Sequence, residues 1–366
     1  MEYVQERVTT LHDFGDANPA APVDRTAVVV PLACADHGSP ATQHVFSTLE
    51  RIAPKRVVVP LRAPRERVIP ISSWLESFDL SLSILWCNAP EVDALLGRHG
   101  VPTTAGKGRD VWLALGIASD SEYIVVHDAD AESYDETHVP RLLFPLANGF
   151  SFSKGYYARV ESDGLYGRLC RLFVSPLLSV LAAVTSDPLP SYLSAFRYPL
   201  AGECALTGAL ARQIRPPVGW GLEIATLADV YAHAGVTGSA QVDLGIHRHE
   251  HRPVAGVEGL GRMSAEVGDA LFARLEAAGI DVDYDVVCDR YRDEAMGLID
   301  QYAVDAAFND LPYDLAGERA QVETYAEAIS PPAESKWVPA WDSTDLDPDV
   351  VRARSEDGLA TLQKTI

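Results

Sequence analysis

Tyr123-Ile124-Val125-Val126-His127-Asp128-Ala129-Asp130 decides the fold. The first four residues read as a buried strand, and that strand empties into two acidic residues. Open α/β sheets bind ligands outside the carboxyl ends of their strands. Two carboxylates at that edge are hard oxygen ligands, suited to Mg²⁺ or Mn²⁺ bound together with substrate phosphates. The competing reading is a plain surface turn, since Asp is common in turns.

Outward from this stretch the same pattern repeats. Residues 26–32 (TAVVVPL) read as a buried first strand of parallel type, 56–61 as a second and 80–86 as a third. Residues 42–52 read as an amphipathic helix with Val45, Leu49 and Ile52 on one face. Further helices are expected at 92–96 and 109–118. Strands alternating with helices imply a mostly parallel sheet in a Rossmann-like, three-layer α/β core. The middle, 156–255, is mixed and holds most polar motifs. Beyond 257 the pattern turns helical, at 263–278, 290–308 and 318–329. Asp347-Pro348 then opens a last helix after a linker marked by Pro331, Pro332 and Pro339. The expected division is a core over 1–255 and a helical C-terminal region over 256–366. That region either packs on the core or forms a homodimer.

Composition narrows the function. The chain has 366 residues and a net charge of -22, and its 30 basic residues are 25 Arg and only 5 Lys. This reads as a salt-adapted cytoplasmic protein kept soluble by like charge. Such a surface repels phosphate backbones, which argues against nucleic-acid binding. An acidic protein that binds anions needs a local basic pocket, so each Lys deserves inspection. Five scattered cysteines without a CxxC argue against a disulfide framework or a zinc site. The most apolar run, 172–184, is too short to span a bilayer and reads as a buried helix.

Four constellations carry chemistry. In Gly106-Lys107-Gly108 the glycines permit close backbone approach to a ligand and Lys107 reaches a phosphate, or the segment is a turn with a solvated lysine. In Gly219-Trp220-Gly221-Leu222-Glu223-Ile224, Glu223 orients an acceptor hydroxyl or takes its proton, or it is a helix N-terminal Glu favoured by the dipole. In His247-Arg248-His249-Glu250-His251-Arg252 alternate histidines share a side and supply a metal ligand, or form a solvated loop. Gly167-Arg168 with Arg171 offer forks for an anionic acceptor, joined by Lys154 upstream, or are surface arginines paired with Glu161 or Asp163; Lys154 by itself reads more readily as a solvated side chain.

These constellations, with Pro199-Leu200-Ala201-Gly202-Glu203 and Asp243-Leu244-Gly245-Ile246, occur in the order seen in glucosyl-3-phosphoglycerate synthases. Those are retaining glycosyltransferases of the GT-A fold. The chain resembles that family from residue 26 to about 280, and its opening, Gln5-Glu6-Arg7 to His12-Asp13-Phe14, looks like archaeal members. The resemblance implies transfer of glucose from a nucleoside diphosphate sugar to 3-phosphoglycerate with Mg²⁺ or Mn²⁺. It implies Asp130 and His249 as metal ligands, and Asp128 facing the donor ribose or sugar. Lys107 would lie on the donor side, Gly202-Glu203 would line the sugar site, and Arg168 would hold the acceptor's phosphate or carboxylate. Glu223 would hold the acceptor near the anomeric carbon as the catalytic candidate.

The chain departs from the family pattern in places. Pro31-Leu32-Ala33-Cys34-Ala35-Asp36 leaves only Asp36 as a nucleobase contact. Trp86-Cys87-Asn88-Ala89 replaces an Asp-Ser-Gly-Ser loop, with Asn88 as the donor-side candidate there. Cys170 and His251 stand where Thr and Asn are usual. Two alternatives stay open: a transferase with another donor or acceptor (mannose, a lipid phosphate), and a non-catalytic sugar-nucleotide-binding protein. An exposed apolar patch over 173–181 would favour the lipid.

Overall fold

The structure is a computed structural model that describes residues 4–161, 164–248, 256–333 and 336–364. Its centre is one sheet. Strands β1 (Thr9–Leu11), β2 (Thr26–Val29), β3 (Leu32–Ala33), β4 (Arg56–Arg62), β5 (Leu82–Trp86) and β6 (Tyr123–Val126) come from the first third of the chain. The middle supplies β7 (Phe152–Glu161), a short β8 (Gly164–Leu165), β9 (Cys204–Thr207) and β10 (Ser239–His247). The order is β1-β10-β7-β9-β6-β2-β4-β3, with β5 on β4 and β8 on β7. Among the described strands, apart from the β8 hairpin, only β9 runs against its neighbours, between β6 and β7.

The central strands are buried on both faces. Val28, Val29, Val57, Val58, Val59, Ile124 and Val125 are all 0% exposed, so their sequences run apolar without alternation. Full burial of one such side chain stabilises by about 1.5–3 kcal/mol. Helices α1 (Pro40–Ile52), α2 (Arg65–Leu75), α3 (Pro90–Arg98) and α4 (Lys107–Ala118) connect the parallel strands. The α1 start is set by Ser39, whose hydroxyl accepts from the Thr42 amide at 3.2 Å, with Pro40 in the first turn. Helix α4 lies on β2 and β4, and α5 (His138–Ala147) on β6, β7, β9 and β10.

The expected first strand is shorter than its apolar run. It ends at Val29, and Pro31, lacking an N–H, separates it from β3. Helix α2 was not expected, because its apolar spacing is interrupted by Pro70. The apolar run 172–184 is buried as expected over its apolar residues from 172 to 181, while Ala183 and Val184 at its end are exposed. A π-helical turn at Leu169–Val174 leads into α6 (Ser175–Val184), so Pro176 sits in the first turn of an α-helix rather than interrupting one. After it come α7 (Pro188–Leu193), α8 (Gly208–Ala211) and α9 (Leu222–Ala234). No described helix is long and apolar enough to cross a membrane.

Beyond residue 256 the described chain is helical: α10 (Gly256–Ala277), α11 (Tyr284–Phe308), α12 (Leu315–Ala326) and α13 (Pro348–Gln363). This region packs on the core. Helix α10 lies on α9, α11 and α12 lie against the 169–184 helix, and α13 crosses α3, α4 and β5. Trp341 stacks on Trp112 at 4.2 Å, and its Nε1 donates to the Trp112 carbonyl at 2.8 Å. The Ser355 hydroxyl accepts from the Trp86 amide at 2.7 Å, tying α13 to the end of β5.

Candidate active site

Pairing register builds the site. Strands β6 and β9 pair antiparallel from Tyr123↔Thr207 to Val126↔Cys204. Continuing that register past the strand ends sets Asp128 opposite Gly202. A Cβ on residue 202 would stand 2.6 Å from Asp128 Oδ2, so only glycine lets the carboxylate sit there. Beneath the loop, His127 is 1% exposed, with Nδ1 3.1 Å from the Asp128 carbonyl and Nε2 3.0 Å from the Tyr134 hydroxyl. Nδ1 donates to the carbonyl, so Nε2 accepts from Tyr134. Burial pushes the His127 pKa down to about 4, which keeps this support neutral.

Lys107, in the first turn of α4, crosses to the acidic loop. Its Nζ lies 2.8 Å from Asp128 Oδ1 and 3.3 Å from Glu223 Oε1. Burial pulls its pKa down, but Asp128 and Glu223 outweigh burial and raise it above the ordinary lysine value. The flanking glycines serve a purpose other than the expected one. A Cβ at Gly106 would lie 2.2 Å from the Val218 carbonyl oxygen, and one at Gly108 1.9 Å from that of Pro217. They let α4 abut the segment leading into Gly219-Trp220-Gly221, and so bring Lys107 to Glu223 in the first turn of α9.

A cleft opens over this point in two chambers, of about 910 and 370 Å³. Lys107, Asp128, Asp130 and Trp220 line both. The smaller chamber is closed by Asp36, Arg62, Asp110, Arg262 and Glu266. Asp36 also accepts from the Ala33 amide at 2.8 Å, which shapes the loop it stands on. Burial pushes Asp110 up to about 6 against the pull of Arg62 and Arg109. The larger chamber is lined by Tyr157, Arg159, Arg168, Gly202, Glu223 and Glu318, among others.

Arg168 lies at this wall; Asp163 and the side chain of Glu161, its expected partners, lie outside the described residues. Glu318 of α12, itself 2% exposed, is 3.5 Å from Arg168 Nε. It accepts from both terminal nitrogens of Arg171, at 2.7 and 3.3 Å, and from the Tyr313 hydroxyl. Cys170 also lines the larger chamber.

Three expected contacts are placed elsewhere. Lys154 is 2% exposed and donates to the Ala201 carbonyl at 2.6 Å, beneath the cleft. Side chains alternate along a strand, so on β7 it takes the face opposite Tyr157 and Arg159. Asn88 bonds the Ala63 carbonyl at 3.0 Å and the Ala63 amide at 3.1 Å and lines neither chamber. Glu203 is 2% exposed and 3.9 Å from His247 Nε2, so of Gly202-Glu203 only Gly202 reaches the cleft. His247 stacks on Tyr157 at 4.2 Å, behind the wall. His249 and His251 lie outside the described residues.

Sequence reasoning missed Arg159, Arg62 and Glu318. The period-2 alternation of Tyr157 and Arg159 was a signal for the first. Nothing local marked Glu318, which is far along the chain from its arginines.

No family model matches the chain. The glucosyl-3-phosphoglycerate synthase of Methanococcoides burtonii is 33% identical over 358 residues, covering 90% of this chain and 88% of the relative. This chain belongs to the glucosyl-3-phosphoglycerate synthase family. It is a glycosyltransferase. The synthase of that name from Persephonella marina is 31% identical, over 82% of this chain and 79% of the relative. Among solved structures, the Mycobacterium tuberculosis glucosyl-3-phosphoglycerate synthase in complex with Mn²⁺, uridine diphosphate and phosphoglyceric acid superposes with a TM-score of 0.57. Identity is 22%, with 75% of this chain and 88% of that chain covered. The same enzyme with Mg²⁺ and uridine diphosphate also gives 0.57, at 23% identity. The shared architecture is the GT-A fold.

Proposed function

We propose that the chain transfers glucose, with retention, from a nucleoside diphosphate sugar to 3-phosphoglycerate, using Mg²⁺ or Mn²⁺. The observation that carries this is the sharing of Lys107, Asp128, Asp130 and Trp220 between the two chambers. A donor in the smaller chamber and an acceptor in the larger would meet over those four side chains. The named relatives, and the M. tuberculosis enzyme that binds uridine diphosphate-glucose and phosphoglyceric acid with Mn²⁺, support the choice of substrates. In this reading residues 1–255 hold both substrates, and the region 256–366 finishes the acceptor wall through Glu318.

The donor set suits the cation. Asp130 offers a hard carboxylate at the junction of the chambers, and no group of three or more His, Cys, Asp or Glu ligands is found among the described residues. Mg²⁺ is commonly bound by one or two carboxylates plus substrate phosphates. Asp130 and His249 are the proposed ligands. When bound, the ion neutralises charge on the departing diphosphate. Asp128, fixed by Lys107 and Gly202, faces the donor sugar, and Asp36 the nucleobase. Arg168 binds the acceptor's anionic end, and Glu223 orients the acceptor hydroxyl. The bond from the anomeric carbon to the diphosphate oxygen breaks, the acceptor oxygen bonds that carbon on the same face, and the hydroxyl proton passes to the departing diphosphate oxygen.

The lipid-acceptor alternative loses its main support. Phe173, Leu177 and Leu181 are 0% exposed, so 173–181 presents no apolar patch. The test is a panel of nucleoside diphosphate sugars and acceptors with Mg²⁺ and Mn²⁺ at high salt, read by nucleotide release and product mass. Metal-dependent glucosylation of 3-phosphoglycerate is expected. Transfer to other acceptors but not to 3-phosphoglycerate would overturn the assignment.

A further inference from the structure

A second cavity, of about 920 Å³, lies apart from the cleft and shares none of its lining residues. It opens between the C-terminal end of α3, helix α10 and residues 337–345. Arg98, His99, Arg215, Arg274 and Trp337 line it, with Asp345 as the carboxylate facing them. In a chain of net charge -22, three arginines around one cavity are a local reversal of sign.

Two of the three share a single counterion. Asp229, 1% exposed, is 2.8 Å from Arg274 and 3.3 Å from Arg215. One carboxylate between two guanidiniums leaves a positive charge over. Arg274 is 8% exposed and caps the Trp337 ring at 4.5 Å, and its Nε has no hydrogen-bond partner among the described residues. Arg215 remains half exposed. Arg98 is exposed and makes no hydrogen bond or ion pair among the described residues. Guanidinium forks of this kind are matched by the oxygens of a phosphate.

We propose that this cavity is a second anion site, which takes a phosphate-bearing ligand between Arg98, Arg215 and Arg274. Its wall adjoins the catalytic machinery. The Val218 amide donates to Lys336 and the Val338 amide to Pro216, and Pro217–Val218 is the backbone against which Gly106 and Gly108 carry Lys107.

The test is calorimetric titration of the full chain with inorganic phosphate in metal-free buffer. An Arg168→Ala background weakens phosphate binding in the cleft. Phosphate binding should survive Arg168→Ala and fall about tenfold or more on adding Arg98→Glu, the scale of one charge-assisted contact. The exposed Arg98 side chain makes no hydrogen bond or ion pair among the described residues, so its replacement should leave the fold intact, which circular dichroism checks. Phosphate should also change tryptophan fluorescence, and Trp337→Phe should remove that change while calorimetric binding persists. Absence of binding in the Arg168→Ala background, or equal affinity after Arg98→Glu, overturns the proposal.

Discussion

The two chambers of the cleft are built by different routes. The smaller is walled largely at the carboxyl ends of parallel strands: Asp36 after β3, Arg62 at the end of β4, and Asp130 after β6. The larger takes Arg159 from β7, Arg168 from the turn before α6, and Glu318 from α12. The first is built mainly by the regular winding of an α/β sheet, with Arg262 and Glu266 of α10 closing it, and the second mainly by contacts between distant parts of the chain. The difference teaches where each chamber is vulnerable. Damage to the first should alter chemistry with the fold intact, and damage to the second should cost stability as well.

The largest effect falls where the chambers meet. Asp130→Ala should lower kcat about 10²–10³-fold, the scale of losing one preorganised electrostatic group at a reacting centre. The melting temperature should hold, because Asp130 stands in a loop beyond the last residue of β6. Steady-state assays with Mg²⁺ and Mn²⁺, beside a thermal melt, decide it. Equal turnover in the variant would remove the carboxylate from the metal site.

Glu318→Ala should show the opposite signature. It strands Arg171, a tenth exposed, without the carboxylate that takes two of its nitrogens. Leaving one member of a buried pair uncompensated costs about 3–5 kcal/mol. Urea denaturation should report that loss, with a rise in acceptor KM as Arg168 loses its neighbour. Arg168→Ala should raise acceptor KM more than donor KM with much less effect on stability. If Glu318→Ala proves as stable as the parent chain, the α12 contact is not what shapes the acceptor wall.

How far the sequence discloses the molecule follows the same division. Buried parallel strands write themselves as continuous apolar runs, so β4 and β6 were legible almost to the residue. The acidic loop and Lys107 were legible as short motifs, while Gly202 entered only through the family resemblance. Their physical setting was not: the glycines around Lys107 face Pro217 and Val218, and no spacing rule connects residue 107 to 217. Lys154 read as an acceptor contact because a lysine is scarce in so acidic a chain and lies upstream of Arg168, but strand alternation turns it to the covered face. Arg171 was visible while Glu318 was not, because ion pairs across such separations leave no periodic trace.

Asp110, in the smaller chamber, gives a pH test. Its pKa is raised from 3.8 to about 6 by burial, so in that window the folded chain holds more protons than the unfolded one. The stability it contributes is full below its unfolded pKa and lost as pH rises through about 6. His127 runs the other way: lowered from 6.5 to about 4, it contributes stability that is full above 6.5 and lost as pH falls. The two partly cancel in the parent chain. Asp110→Asn should uncover the His127 slope, and its stability relative to the parent should grow by about 2–3 kcal/mol between about pH 4 and 7. Urea midpoints across that range measure it, and parallel curves would show that Asp110 ionises normally.

The smallest effect tests a side chain just outside the smaller chamber. Asn88 spends both ends of its amide on Ala63, joining the turn after β5 to the end of β4. If that is its whole role, Asn88→Ala should cost about 1 kcal/mol, the net worth of such bonds, and leave donor KM unchanged. Asn88→Asp should do worse than alanine, since a carboxylate accepts from the Ala63 amide but meets the Ala63 carbonyl without a proton to share. A donor KM raised several-fold by alanine at full stability would return Asn88 to the nucleotide, and would mean that the β5 turn moves toward the chamber when donor binds.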